Sequence, residues 1–337
     1  MNRHLVLLSI AQGLFLTNNV TFIAINGLVG LSLAPEAWMA TLPVMGYVVG
    51  GALSTGLVAK SQQRFGRKGS FQLGLLVALL SAALGAFAVL SQSFWLLVTA
   101  TVVAGYYSAN GQLYRFAAAE LCQPDYREKA VSLVMAGGLI GAVIGPNLAI
   151  QTKSILGMPF AGAYVALMVV AVLSMAVMSF ITFPPAPVVK ADDTGGRPLG
   201  EIMRQPVFVV AAMAAALGYG VMNLLMAATP LAMQVCGLSF EDTGWVLEWH
   251  VIGMFAPGFV TGHLIKRFGV LPIMGVGVLL NIACIAVALS GVDLHQFLWS
   301  MFLLGVGWNF LFTGSTTLSM QAYTPQEKNR AQAAINF

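Results

Sequence analysis

Few side chains in this 337-residue chain could do chemistry, and those few stand inside stretches that are otherwise apolar. Glu248 and His250 bring a carboxyl and an imidazole, groups able to take up and release a proton. Residues two apart on a helix do not face each other. Three roles therefore stay open for Glu248: proton coupling with His250, contact with a bound solute, or a carboxylate reaching out to the membrane surface. The other candidates are uncharged. Gln12, Asn19 and Asn26 recur every seven residues and so share one helix face. Tyr107, Asn110 and Tyr114 make a second stripe, Tyr219 and Asn223 a third, and Trp308, Asn309 and Thr313 a fourth. Amides supply donors and acceptors, and aromatic rings supply stacking faces. Hydrogen bonds that merely hold helices together, about 0.6 kcal/mol each in a membrane, account for the same residues.

Other chemistries lack their residues. A carrier of dicarboxylates or phosphates calls for paired arginines in mid-span, and none occurs. The set fits a neutral, hydrogen-bonding, aromatic solute. Arg115 near the end of a span has no counterpart about 200 residues later, as expected of either a binding residue or a headgroup anchor. His4, His263 and His295 are isolated, and Cys122, Cys236 and Cys284 are scattered, with no metal or redox spacing. No enzyme activity, cofactor or metal is expected. Neither charge rings nor carbonyl filters suggest a channel.

The elements that position these residues follow from composition. Hydrophobic residues make up 58% and charged residues 8%, against about 25% charged in soluble domains. So apolar a surface needs lipid. Ten stretches are long and apolar enough to span it: 5–31, 38–59, 71–90, 94–116, 130–151, 160–183, 206–234, 243–263, 271–290 and 296–321. Between the sixth and seventh lies a linker, 184–205, rich in Pro, Asp and Gly, whose tail 199–203 could form a short amphipathic turn on the membrane surface. One set of span ends carries Arg3, Lys60, Arg64, Arg67, Lys68, Arg115, Arg127, Lys129, Lys190, Arg197, Arg204, Lys266, Arg267, Lys328 and Arg330. The other set carries Lys153 alone among the basic residues. Positive loops stay inside, so the amino terminus and linker are expected in the cytoplasm and the chain in the cell (plasma or inner) membrane.

The chain is also a duplication. Arg64-Phe65-Gly66 returns as Arg267-Phe268-Gly269, and Pro124 before a charged run returns as Pro325, both after about 200 residues. This divides the chain into a six-helix bundle at 1–183, the linker at 184–205, and a second bundle at 206–337 with four helices and a stub. The expected class is an all-α integral membrane protein. A complete second copy would end near residue ~385, so a truncated, poorly transporting remnant is an expectation to weigh beside an active carrier. In the loop itself, Gly66 permits a tight turn, while Arg64, Arg67 and Lys68 can hold helix carbonyls and anionic headgroups.

Two six-helix halves, a central linker and this basic loop resemble the major facilitator superfamily. Arg64, Gly66, Arg67 and Lys68 match the second part of the family's loop signature, and Arg267 and Gly269 repeat it. The upstream Gly56 is displaced, and the signature's acid is absent, with Lys60 or Gln63 in its place and Lys266 in the second copy. In the family that acid pins the inward gate, so the locking arrangement is expected to differ here. Gly137, Gly141, Gly145 and Pro146 resemble the glycine–proline motif of span five, although Asn147 and Leu148 follow. They imply close packing against a helix of the other half and a kink at Pro146. The resemblance implies two pseudo-symmetric bundles rocking about a cavity lined by spans one, four, seven and ten, hence secondary transport of a small organic solute by alternating access. The stretch from His250 through Met254, Pro257, Gly262 and Phe268 to Gly269 is similar to bacterial carriers that include riboflavin importers, with drug-efflux carriers an equal alternative. The implied partners are membrane lipid, a small-molecule substrate and protons, with no nucleic acid, and the chain is expected to act as a monomer.

Overall fold

A computed structural model describes residues 2–184 and 196–336, and every regular element among them is helical. Pro185, Pro187, Asp192, Asp193 and Gly195 of the expected linker lie outside the described residues. In the first part of the chain are α1 (Arg3–Leu33), α2 (Leu42–Leu90), α3 (Phe94–Gly111), α4 (Tyr114–Glu120), α5 (Arg127–Ala136), α6 (Gly138–Thr152) and α7 (Ala161–Ser179). The second part holds α8 (Leu199–Arg204), α9 (Pro206–Val235), α10 (Phe240–Phe255), α11 (Gly258–Phe268), α12 (Val270–Leu289), α13 (Leu294–Ser319) and α14 (Lys328–Asn336). Among the described residues, seven helical stretches are long and apolar enough to cross a membrane, and one of these, Trp38–Leu90, is two arms joined at Gly66.

Local chemistry sets where helices start and stop. Asn2 caps α1 by accepting from the His4 N–H at 3.1 Å. Ser239 and Asp242 form a reciprocal capping box at the head of α10. Both repeated turns depend on glycine. Gly66 has φ 69° and ψ −178°, and Gly269 has φ 91° and ψ 160°, a region of backbone space that side chains exclude. Nothing lies within 4 Å of a Cβ built on Gly66, so conformation rather than space requires the glycine there.

Three expected spans are subdivided. Residues 94–120 break at Gln112 and Leu113, where Leu113 N–H bonds to Asn110 C=O in a tightened turn. Residues 127–152 break at Gly137, whereas α6 runs on through position 146; the side chain of Pro146 lies outside the described residues. Residues 240–268 break at Ala256 and Pro257, because proline has no N–H to continue the ladder.

Within the first part, α1 packs on α6 and α7, and α2 on α3 and α7; in the second, α13 packs on α9, α10 and α12. The outer faces stay apolar: Leu53 is 69% exposed, Leu224 68% and Leu279 65%, surfaces that water would not tolerate and lipid would. Trp38, Trp95, Trp245 and Trp299 are exposed near one set of span ends, as in an interfacial aromatic belt. The two parts meet mainly through α5 with α11, α2 with α14, and α6 with α10. The first two contacts lie toward the ends that carry the basic loops, called here the basic end.

Candidate transport site and its closed basic end

At the basic end, Arg67 begins the second arm of α2 and turns inward, where it is 6% exposed. Its Nε and Nη2 donate to the two Glu120 oxygens at 3.1 and 2.6 Å, a forked pair whose geometry favours strength. Nη1 donates to Gln62 at 3.0 Å, and Nη2 also reaches Gln332 Oε1 on α14 at 2.6 Å. Lys328, at the head of α14, lies 3.2 Å from Glu120. Burial alone would raise the Glu120 carboxyl, but the combined pull of Arg67 and Lys328 holds it below the usual carboxylate range. Residues of both parts thus share one charge network. A second clamp ties the end of the linker to the second part: Arg197 Nε and Nη2 donate to Glu327, at 2.9 and 2.8 Å, and Arg197 Nη2 and Gln205 Nε2 donate to the Ala322 carbonyl.

A few residues further in, α5 crosses α11 at close range. The Gly262 N–H donates to Ser132 Oγ at 2.9 Å, and the Ser132 hydroxyl donates to the Gly258 carbonyl. In an unbroken helix the 262 N–H would bond to the 258 carbonyl directly. That turn lies inside the regular helix Gly258–Phe268, so a serine from the first part bonds to both groups of a turn the helix itself forms. The glycines make room: a Cβ on Gly262 would lie 2.5 Å from the Glu128 carbonyl, and one on Gly258 2.8 Å from the Ser132 carbonyl.

Deeper still, the two parts meet through an apolar layer. Trp308 stacks on Phe312 with ring centroids 4.6 Å apart and planes 18° from parallel. Met135, Met222, Met254 and Phe255 are buried with them, and Leu16, Leu139 and Met226 pack against the group. Thioethers are unbranched and polarizable, so they adapt to flat aromatic faces of differing shape. Below Phe312 lies Arg115, buried, with its guanidinium 3.9 Å from the ring centroid and Nη2 donating to Asn336 at 2.5 Å. Tyr219 lies beside Phe312, 6.0 Å between centroids.

The sequence matches the Major Facilitator Superfamily over residues 5–337. The chain belongs to that family. It is 37% identical over 340 residues to the riboflavin transporter RfnT of Brucella anthropi, covering 99% of this chain and 85% of the relative. It is 26% identical to the uncharacterized MFS-type transporter YddS of Bacillus subtilis, covering 93% and 76%. Among solved structures, the transporter FucP in its outward conformation superposes with a TM-score of 0.80 at 15% identity, over 98% of this chain and 87% of that one. The proton:xylose symporter XylE, bound to 6-bromo-6-deoxy-D-glucose, gives 0.81 at 15%, over 99% and 85%. These structural likenesses carry the superfamily fold. The protein is a multi-pass membrane transport protein, not an enzyme, and family membership implies a small-molecule substrate.

Within this superfamily fold the expected cavity residues do not share one surrounding. Asn26, Asn110 and Asn309 spend their amides inside their own parts. Asn26 donates to Phe22 C=O and accepts from Tyr164 OH; Asn110 donates to Tyr106 C=O and accepts from Ser70; Asn309 donates to Met254 C=O and accepts from Thr261. Tyr107 and Tyr114 lie edge-on to Phe15 in the core of the first part. Gln12 is buried with Oε1 unpartnered, and Asn19 is half-buried. Tyr219 and Asn223 are exposed, Asn223 bonding back to the Tyr219 carbonyl. Trp308 enters the contact layer between the parts.

The other candidates also divide. Glu248 is exposed on α10, whereas His250 is fully buried with Nδ1 2.8 Å from the Met301 carbonyl, so the two do not meet. Of the loop residues, Arg67 enters the interface; Arg64 and Arg267 stay exposed over Phe65 and Phe268, and Lys68 bonds to the Ser179 carbonyl. Gly137, Gly141 and Gly145 face Ser9, Leu16, Thr17 and Val20 of α1, in their own part rather than the other. Gly138, one residue off the stripe, is the one that meets Phe255 across the interface. Ser132 and Gln332 escaped sequence reasoning. The four-residue spacing of Gly258 and Gly262 was the available signal for the first.

Proposed function

We propose that this chain is a secondary transporter of a planar heteroaromatic solute of the flavin type, working by alternating access. The observation that carries the reading is the stacked Trp308–Phe312 pair set among four methionines where the two parts meet. Such a layer offers flat apolar faces of adjustable width, suited to a fused ring system. The extensive identity with a riboflavin transporter supports the same class. In this reading the two moving bodies are 1–183 and 206–337, joined by 184–205, and each works within a monomer. The basic end and the amino terminus lie in the cytoplasm, because positive loops are retained there, and the membrane is the cell membrane. The conformer described is then closed inward, its gate made of the Arg67–Glu120–Lys328 network and the Ser132 crossing.

A coupling proton belongs to the same reading, with His250 the better-placed group. Its Nε2 is buried without a hydrogen-bond partner, so a proton arriving there would need a local rearrangement to be accommodated. Glu248, being exposed, answers to solvent instead. The test is riboflavin uptake into proteoliposomes, followed by flavin fluorescence, with and without an imposed pH gradient. Accumulation above protein-free vesicles is expected, increased by the gradient. Equal signals with and without protein overturn the reading.

A further inference from the structure

We infer that Arg115 is a solute-binding residue of the conformer open at the basic end, engaging an oxygen-rich edge through N–H groups that the closed conformer leaves unused. This rests on the alternating-access and flavin reading above. Arg115 is 4% exposed. Its Nη2 donates to Asn336, and its plane lies over Phe312. Nε and Nη1 are buried with no hydrogen-bond partner. No carboxylate forms an ion pair with it among the described residues, since Glu120 is held by Arg67 and Lys328 and Glu327 by Arg197. A buried cation without a counter-ion, with two donors idle, is unfavourable, and a hydrophobic residue would fill the place at lower cost. Residues that break this rule mark functional positions in membranes.

The partners show what the function is. Arg115 stands on α4, in the first body; Phe312 and Asn336 stand on α13 and α14, in the second. When the basic ends separate, ring and amide leave together, and the guanidinium faces the opened passage with every donor free. The Phe312 ring then reads as a placeholder: a flat π face occupies the guanidinium plane until a flat solute can. Guanidinium presents parallel N–H groups in one plane, matching adjacent carbonyl and ring-nitrogen acceptors such as the pyrimidinedione edge of a flavin. Lysine, a point charge, would keep the sign and lose the fork.

The test uses the full chain in nanodiscs, with riboflavin as probe and quenching of its fluorescence as readout. Arg115→Gln, Arg115→Lys and Asn336→Ala are compared with the wild type, each first checked for monodisperse elution. Arg115→Gln is expected to weaken binding roughly tenfold or more, and Arg115→Lys to fall between it and the wild type. Asn336→Ala is expected to leave binding unchanged or tighten it, because it frees the guanidinium without touching it. If Arg115 is only a latch, both Arg115→Gln and Asn336→Ala break the same contact and shift binding together, which overturns the inference. Unchanged binding in Arg115→Gln also overturns it. A wild-type protein that leaves riboflavin fluorescence unaltered rejects the flavin reading itself, a distinct result.

Discussion

The two RFG turns have the same backbone and opposite surroundings. Gly66 and Gly269 both occupy the glycine-only region. The next residue differs: Arg67 enters a buried ion-pair network reaching the other part, while Val270 packs among Ile265, Ile273 and Met274 of its own. Duplication preserved what the turn demands of the main chain and left the side chain free to diverge. The chain therefore has the same turn at both positions and an ion-pair network between the parts at one.

That asymmetry can be broken at the network first. Arg67→Ala removes the bond to Gln332 that crosses between the parts and leaves Glu120 to Lys328; it should cost that contact about 1.5–3 kcal/mol, as a lost hydrogen bond to a charged group does. Ala333 lies half-buried on α14, lining a small gap with Val58, Ala59 and Gln62 of α2; in Ala333→Cys, in a background without Cys122, Cys236 and Cys284, the thiol should react with maleimide at least tenfold faster. Val270→Ala should leave that rate alone; equal acceleration by both would dissolve the comparison. Acid should imitate the first variant. Glu120 is held below its ordinary value of 4.5, so its contribution is complete above that value and is lost as pH falls through the lowered one. Maleimide is a poor reagent in that range, so opening should be followed by distance measurements between spin labels on the two parts.

The shared turn is tested by Gly66→Ala and Gly269→Ala. Each should lower stability by about 1–3 kcal/mol, seen as a lower unfolding temperature, because no side chain fits those angles. A loss at one position alone would mean the two turns are not equivalent. The smallest effect is expected from Ser132→Ala, about 1 kcal/mol, since the Gly262 N–H and the Gly258 carbonyl are partners within one turn of α11. A maleimide rate at Ala333 raised as much as by Arg67→Ala would contradict that.

What the sequence made legible was periodic or compositional. Apolar length located the helices, the spaced RFG repeats located the duplicated turns, and basic residues located one end of the bundle. Breaks inside spans were not legible where no proline marks them, as at Gln112. Partnership was the larger loss. Asn26, Asn110 and Asn309 were singled out as polar groups in apolar helices, but polarity does not say whether a cavity or a neighbouring helix satisfies them; Tyr164, Ser70 and Thr261 do, and each is remote in sequence. The glycine stripe of Gly137, Gly141 and Gly145 announced a close approach without naming α1 as its partner. Trp308 carried a large stacking surface, and Phe312 one turn later completed it, a spacing hidden in a chain this rich in aromatics.

The serine between α5 and α11 bears on what parting the two parts would cost. In hydrocarbon, an N–H torn from its acceptor costs several kcal/mol. Both groups that Ser132 meets, the Gly262 N–H and the Gly258 carbonyl, belong to one turn of the regular helix Gly258–Phe268 and have each other as partners there. The serine is a guest on a finished ladder: its withdrawal would release only its own hydroxyl, which can turn back to a carbonyl of its own helix. Exchange at the Gly262 amide should then stay slow in Ser132→Ala, whatever that change does to the contact between α5 and α11.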